Sequence, residues 1–340
     1  MPAIEAAGSE LLEQIQGARA QSDRLFEVLR PEAIYERPIA ERHRVIFYIG
    51  HLEAFDYIQI CREGLGIPSR GPQLDTLFQA GIDPDSGHLP SDTPRDWPSM
   101  ETVRSYVDRC RREVDENLDR APEESVVMAL EHRDMHVETL AYMFHNFPYE
   151  LKRGPNSSRL DAPSFATDEN EWCDIPSGEA VLGKKEDGSF GWDNEYEQVR
   201  RTIPAFRIQR YNVTNGDYLR FVEEGAPMPH FWTRRGDAIY YRGMFREIPL
   251  PLDWPVYVTQ VEAEAYAKAL GKSLPSEEQF DRAAYGNPWG EERKYPWGKG
   301  APTAERGNFD FEGWDPDCIS EIMGSSVRMD LRIVAWDPVT

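Results

Sequence analysis

Two histidines, His132 and His136, stand four residues apart in the run VVMALEHRDMHVETLAYMFHNF, residues 126–147. The run holds no Gly or Pro, and Val126, Leu130, Val137, Leu140, Ala141 and Phe144 recur at steps of three, four and seven, which predicts a helix with one buried face. Side chains four apart on a helix project one above the other, so the two imidazoles can reach a single metal ion. Two histidines that are merely part of a packed core fit the same spacing. A third ligand from elsewhere in the chain is what separates the two readings.

Three further helices are predicted around that run. Residues 9–29 place Leu11, Leu12, Ile15, Leu25, Phe26 and Leu29 at helical spacing, with Pro31 as a stop. Residues 40–63 place Val45, Ile49, Leu52, Phe55 and Ile58 on one stripe, with Gly64 beyond the end. Ser99 is a natural N-cap for a helix whose inner stripe is Val103, Tyr106, Val107, Cys110, Val114 and Leu118. Residues 64–98, crowded with Gly, Pro, Asp and Ser, read as a long crossover rather than a packed element. Four amphipathic helices with a long central connection predict a four-helix bundle over residues 1–150, and bundle cores commonly hold metal sites. His51, mid-helix between Phe47 and Phe55, is either a core histidine among aromatics or the missing third ligand.

The 340 residues suit two domains, and the 40% hydrophobic content fits a globular chain. A formal charge of -22 disfavours nucleic acid and anionic membranes as partners. The opening MPAIEAAGSELLEQIQ has no basic or apolar targeting segment and no later run approaches a membrane span, so a cytoplasmic location is expected. Cys61, Cys110, Cys173 and Cys318 are scattered and read as reduced thiols.

Residues 148–171 are polar and Pro/Ser-rich, and the segment 151–171 reads as a linker. Beyond Trp172 come short alternating stretches such as TIPAFRIQRYNVT and PVYVT, with helices expected from Thr214 to Glu224, from Gln260 to Leu270 and from Ser276.

At this point the chain resembles a known pair of modules. His51 in YIGHLEAFDY and the run EHRDMHVETLAYMFHNFP are similar to the DinB-type helical domain of ergothioneine-pathway sulfoxide synthases. IPSGEAVLG, DNEYEQVRRTIPAFRIQRYNVTNGDYLRFV, WPVYVTQVEAEAYAKALGKSLPSEEQFDRAAYG and YPWGKGAPTAERGNFDF resemble the formylglycine-generating-enzyme/sulfatase-modifying fold. The resemblance runs from about residue 9 to about Pro316. It implies an α+β multidomain chain: a DinB-like four-helix bundle (1–150), then a C-type-lectin-like α+β domain (172–316). It also implies that His51, His132 and His136 bind one non-haem Fe(II). The implied reaction joins a cysteine-type thiol, cysteine or γ-glutamylcysteine, to ring C2 of hercynine (Nα-trimethylhistidine) with O2, giving a sulfoxide. Formylglycine-generating enzymes themselves use a cysteine pair near the C-terminus, where this chain offers only Cys318.

Three imidazoles leave Fe(II) roughly three open positions, enough for a thiolate, an imidazole nitrogen and dioxygen. Glu131 or Glu138 could orient the ligands through an imidazole N–H, or be solvated helix charges. Arg104, Arg109, Arg111 and Arg112 read as a charged helix face that could contact a substrate carboxylate. His145 reads as structural, and His43, His88 and His230 as surface or loop residues.

After GNFDFEGWDP the resembling family continues into a Gly-Asn-x-Trp-Glu-Trp-like motif, whereas residues 317–340 read as an unmatched tail. The second domain is therefore expected to be incomplete. Two alternatives stay open: a catalytically impaired metal-binding or interaction protein of the same fold, and a related synthase using histidine or a selenium donor.

Overall fold

The structure, a computed structural model, describes residues 2–81, 89–154, 172–286, 292–303, 306, 307, 314 and 315, without the side chains of residues 2–10. Most of the expected linker, the tail 317–340, His88 and Cys318 lie outside the described residues. The chain divides into two compact units, residues 1–157 and 158–340.

The first unit is a helical bundle. Helix α1 spans Pro2–Glu27, α2 Val45–Tyr57, α3 Pro72–Phe78, α4 Met100–Asp115 and α5 Glu123–His145. The Ser99 hydroxyl accepts the Thr102 N–H and starts α4, whose Val103, Tyr106, Cys110 and Val114 are buried as the spacing predicts. In α5, Val126, Ala129, Val137, Leu140, Met143 and Phe144 are buried. α1 packs on α5, and α2 packs on α3, α4 and α5. This central place explains the burial of every α2 residue except Ile49 and Phe55.

Three expectations need correction here. The second helix begins at Val45, after an extended Arg44, rather than at residue 40. It also closes in a wide final turn, Ile58–Glu63, where the Gly64 N–H reaches back five residues to the Gln59 carbonyl (3.0 Å). The crossover 64–98 is not unpacked: it contains α3, and Phe78 at its end is fully buried against α2. A helix of two turns leaves too few positions for a period to stand out among Gly, Pro and Asp.

The second unit is α+β with small sheets. Strands β1 (Trp172–Ile175) and β4 (Phe206–Gln209) pair antiparallel, as do β2 (Gly178–Leu182) and β3 (Val199–Ile203). A meander joins β5 (Trp232–Arg235), β6 (Ala238–Arg242) and β7 (Glu247–Pro249). Helices α6 (Asn215–Glu223), α7 (Gln260–Ala269) and α8 (Glu277–Ala284) start at Thr214, Thr259 and Ser276, each of whose hydroxyls accepts an N–H of the first turn. The core gathers Tyr218, Phe231, Trp232, Tyr241, Ile248 and Trp254, which accounts for the aromatic richness of this half.

Candidate metal centre

His51 from α2 and His132 and His136 from α5 meet inside the bundle, their ligand atoms all within 4.8 Å of one another. His136 Nε2 lies 3.1 Å from His51 Nε2 and 3.1 Å from His132 Nε2. Two nitrogens bound cis on one ion at about 2.1 Å each are separated by about that distance. Among the described residues this is the one group of His, Cys, Asp or Glu so arranged.

The tautomer of His51 follows from its neighbour. A backbone carbonyl only accepts, and the Phe78 oxygen lies 2.6 Å from His51 Nδ1, so Nδ1 carries the proton and Nε2 presents its lone pair. Burial pushes the His51 imidazole down to about 4, against the opposing pull of the Phe78 bond. Burial, with the His51 charge second, brings His136 to about 3, and burial with His136 and His51 beside it lowers His132 as well. Three neutral rings aiming nitrogens at one another suit a divalent cation.

Aromatic rings build the walls. Phe55 stacks on His132 with centroids 3.5 Å apart and planes 8° apart. Phe47 stacks on His51 at 4.8 Å, and the half-buried His43 stacks in turn on Phe47 at 4.1 Å. His43 is a loop residue, as expected, just before α2, where it packs on the column of aromatic rings, and its Nε2 donates to the Gly81 carbonyl at 2.9 Å. Tyr48 is buried beside the His136 ring at 5.9 Å.

Of the two readings of Glu131 and Glu138, the solvated helix charge holds: both are exposed. The Nδ1 atoms of His132 and His136 find no hydrogen-bond partner among the described residues. Of the α4 arginines, Arg104 and Arg112 are exposed, whereas Arg109 and Arg111 are engaged in ion pairs within the bundle. His145 is half-buried at the end of α5, and His230 is exposed. Cys61, Cys110 and Cys173 are free thiols, the first two buried.

Behind the histidines runs an ionic network that pattern reading missed. Arg133, 1% exposed, donates to Asp56 Oδ2 at 2.5 Å and to Ser22 Oγ at 2.9 Å, and pairs with Glu53 Oε1 at 3.1 Å. Arg111 joins Glu53 to Asp23 at 2.7 Å each, and Arg19 joins Asp115 at 2.6 Å and Glu53 at 3.6 Å. The network ties α1, α2, α4 and α5 together immediately beside His51 and His132. Its sequence signal was a charged residue (Glu53, Asp56, Arg133) where the helical period calls for burial.

Residues 14–146 match the DinB superfamily, and residues 160–320 match the Sulfatase-modifying factor enzyme 1-like domain. The chain therefore carries both domain matches in one polypeptide, the DinB match first. Among relatives of this DinB/sulfatase-modifying-factor chain, "Ergothioneine biosynthesis protein 1" of Neurospora crassa is 27% identical over 312 residues, covering 74% of this chain and 36% of that protein. "Hercynine oxygenase" of Mycolicibacterium thermoresistibile is 29% identical over 275 residues, covering 72% and 59%. Its namesake in Mycolicibacterium smegmatis is 28% identical over 310 residues, covering 79% and 69%. The chain thus spans little more than a third of the fungal relative. No described helix is long and apolar enough to cross a membrane.

Proposed function

We propose that this chain is an Fe(II)- and O2-dependent sulfoxide synthase that forms a bond between a cysteine-type thiol and ring C2 of hercynine. The observation that carries the reading is the convergence of three neutral Nε2 atoms in the bundle of a chain that also holds the sulfatase-modifying-factor domain. The names of the relatives, which include hercynine oxygenase, supply the substrate class and the pathway. The ligands are His51, His132 and His136 of the bundle, residues 1–150, and residues 172–316 form the second, formylglycine-generating-enzyme-like domain. The site of action is the cytoplasm, with small molecules as the partners.

Held by His51, His132 and His136, Fe(II) would supply a Lewis acid for a thiolate and electrons for dioxygen. The protein holds the three rings. Phe78 fixes the His51 tautomer, and the helix period keeps His132 and His136 one turn apart. Phe47 and Phe55 exclude water from the ring faces. Because the donors are neutral, the bound ion keeps its full charge, which favours an anionic thiolate over a neutral ligand. The stoichiometry balances: the thiol S–H and the ring C2–H are lost, a C–S bond forms, one oxygen atom goes to sulfur and the other leaves as water.

The test is oxygen uptake by anaerobically loaded protein given hercynine with cysteine, and in parallel with γ-glutamylcysteine. Uptake that needs both substrates, yields the sulfoxide and vanishes in His132→Ala supports the proposal and identifies the donor. One equivalent of iron with no uptake on either donor overturns it in favour of a metal-binding protein of the same fold.

A further inference from the structure

The crossover does more than connect. Asp75, on α3, is 1% exposed, and partners from three directions converge on it. The Tyr106 hydroxyl of α4 donates to Oδ1 at 2.9 Å, and the Ser69 hydroxyl donates to Oδ2. Arg109 Nη2 lies 3.8 Å from Oδ1, and Arg62 Nη1, from the wide turn after α2, lies 3.7 Å from Oδ2. A buried carboxylate held this way can leave its place only by stranding donors in the core.

One turn further along α3 comes Phe78, which touches both the proposed centre and Tyr106. Its carbonyl accepts from His51 Nδ1 at 2.6 Å, and its ring packs on Tyr106 with centroids 5.3 Å apart. The ring also lies over Gly50 so closely that a Cβ there would come within 2.4 Å of it. Tyr106 therefore both holds Asp75 and backs Phe78, and Gly50 lets α3 approach α2 closely enough for the carbonyl to reach His51.

We infer that Asp75 is a positioning residue for the centre: by locking α3 onto α4 and the wide turn it keeps the Phe78 carbonyl on His51 Nδ1, and so aims the His51 Nε2 lone pair at His136. The inference rests on reading His51, His132 and His136 as a metal site. Without a fixed acceptor the ring is free to flip or to carry its proton on Nε2, and either change removes a ligand.

The test uses the full chain and metal alone. Co(II) affinity is measured by competition with a chromophoric chelator. Protection of imidazole N–H protons from solvent exchange is measured by NMR in the Zn(II)-loaded protein. In the wild-type chain one equivalent of Co(II) binds and one of the imidazole N–H protons is distinctly protected. Asp75→Asn weakens Co(II) binding by about 10–100-fold, the range for a lost outer partner of a metal-bound histidine, and exposes that proton. Tyr106→Phe moves both readouts the same way by less. Phe144→Leu, a core change on α5 away from this path, lowers the thermal midpoint and leaves both readouts in place. Wild-type affinity and protection in Asp75→Asn, or in Tyr106→Phe where the first variant does not fold, overturn the positioning role while the metal site stands. Failure of the wild-type chain to take up Co(II) overturns the metal reading and this inference with it.

Discussion

Replacing Arg133 by Met tests whether the ionic network holds the bundle around its histidines. Arg133 is 1% exposed and its cation meets Asp56 at 2.5 Å and Glu53 at 3.1 Å. Its removal treats the two carboxylates differently. Glu53 keeps Arg111 at 2.7 Å and Arg19 at 3.6 Å, but Asp56 keeps only Arg19, at 4.0 Å. Breaking a buried pair by deleting one partner costs about 3–5 kcal/mol because the surviving charge is left uncompensated. Asp56 has a partial escape. Burial already raises its carboxyl to about 6 even with Arg133 beside it, so without Arg133 it binds a proton at pH 7. The expected loss is therefore at the low end, about 3 kcal/mol.

Removing the stranded group as well should restore most of that loss. In the metal-free Arg133→Met/Asp56→Asn double variant the loss falls to about 1 kcal/mol, a coupling of about 2 kcal/mol plus whatever Asp56→Asn costs alone. The assay is urea unfolding at pH 7 followed by helical circular dichroism, with all four corners of the cycle measured. A loss below about 1 kcal/mol for Arg133→Met alone, or strict additivity in the double variant, would show that the network is a solvated decoration rather than a clamp.

Other outcomes follow from the same geometry. In the metal-free protein the His51 imidazole sits near 4, below its usual 6.5, so the unfolded chain binds the proton first and stability is lost as pH falls from about 6.5 towards 4. His51→Asn should flatten the stability slope by about 1.4 kcal/mol per pH unit in that window; an unchanged slope refutes burial of a neutral ring. Saturating metal at about 100 times its Kd should stabilise the wild-type bundle by about 2.7 kcal/mol and leave His132→Ala where it was, as read by thermal unfolding with and without Co(II). Gly50→Ala forces a methyl to within 2.4 Å of the Phe78 ring, and should cost about 1–3 kcal/mol by urea titration; a neutral outcome contradicts the close approach of α3. Ser99→Ala removes the hydroxyl that accepts the Thr102 N–H at 3.2 Å, and should cost the bundle about 1 kcal/mol.

The helices were legible because α4 and α5 have one buried face, and the caps at Ser99, Thr214 and Ser276 start their elements where the hydroxyl pattern predicts. His132 and His136 needed only the period of α5. His51 was visible as a histidine among aromatics, but its meeting with α5 is a tertiary fact that no spacing within α2 encodes. α3 was missed because Pro72–Phe78 is short and sits among turn residues, and with it went the Phe78 carbonyl. A search for carboxylate partners at Glu131 and Glu138 could not find that acceptor, since every residue has a carbonyl. The Arg133 network was hidden by the opposite problem: charged side chains were assigned to solvent by type, although Glu53, Asp56 and Arg133 are all among the buried residues.

The period of α2 also bears on why the cluster is all histidine. α2 carries Glu53 and Asp56 within five residues of His51, but steps of two and five turn them to other sides of the helix, so neither can share one ion with His51. There Glu53 meets Arg19, Arg111 and Arg133, and Asp56 meets Arg19 and Arg133, which offset their charge, although Glu53 Oε2 and Asp56 Oδ1 accept no hydrogen bond among the described residues. The arginines bind α1, α4 and α5 to α2 through these acids, on sides of α2 other than the one that presents His51. A divalent ion held by the three neutral imidazole nitrogens would keep its charge for an incoming anion, the property that the proposed thiolate substrate calls for. Loosening the clamp at Arg133 therefore acts on stability first, because Asp56, protonated at pH 7 once Arg133 is gone, brings no new charge towards the histidines.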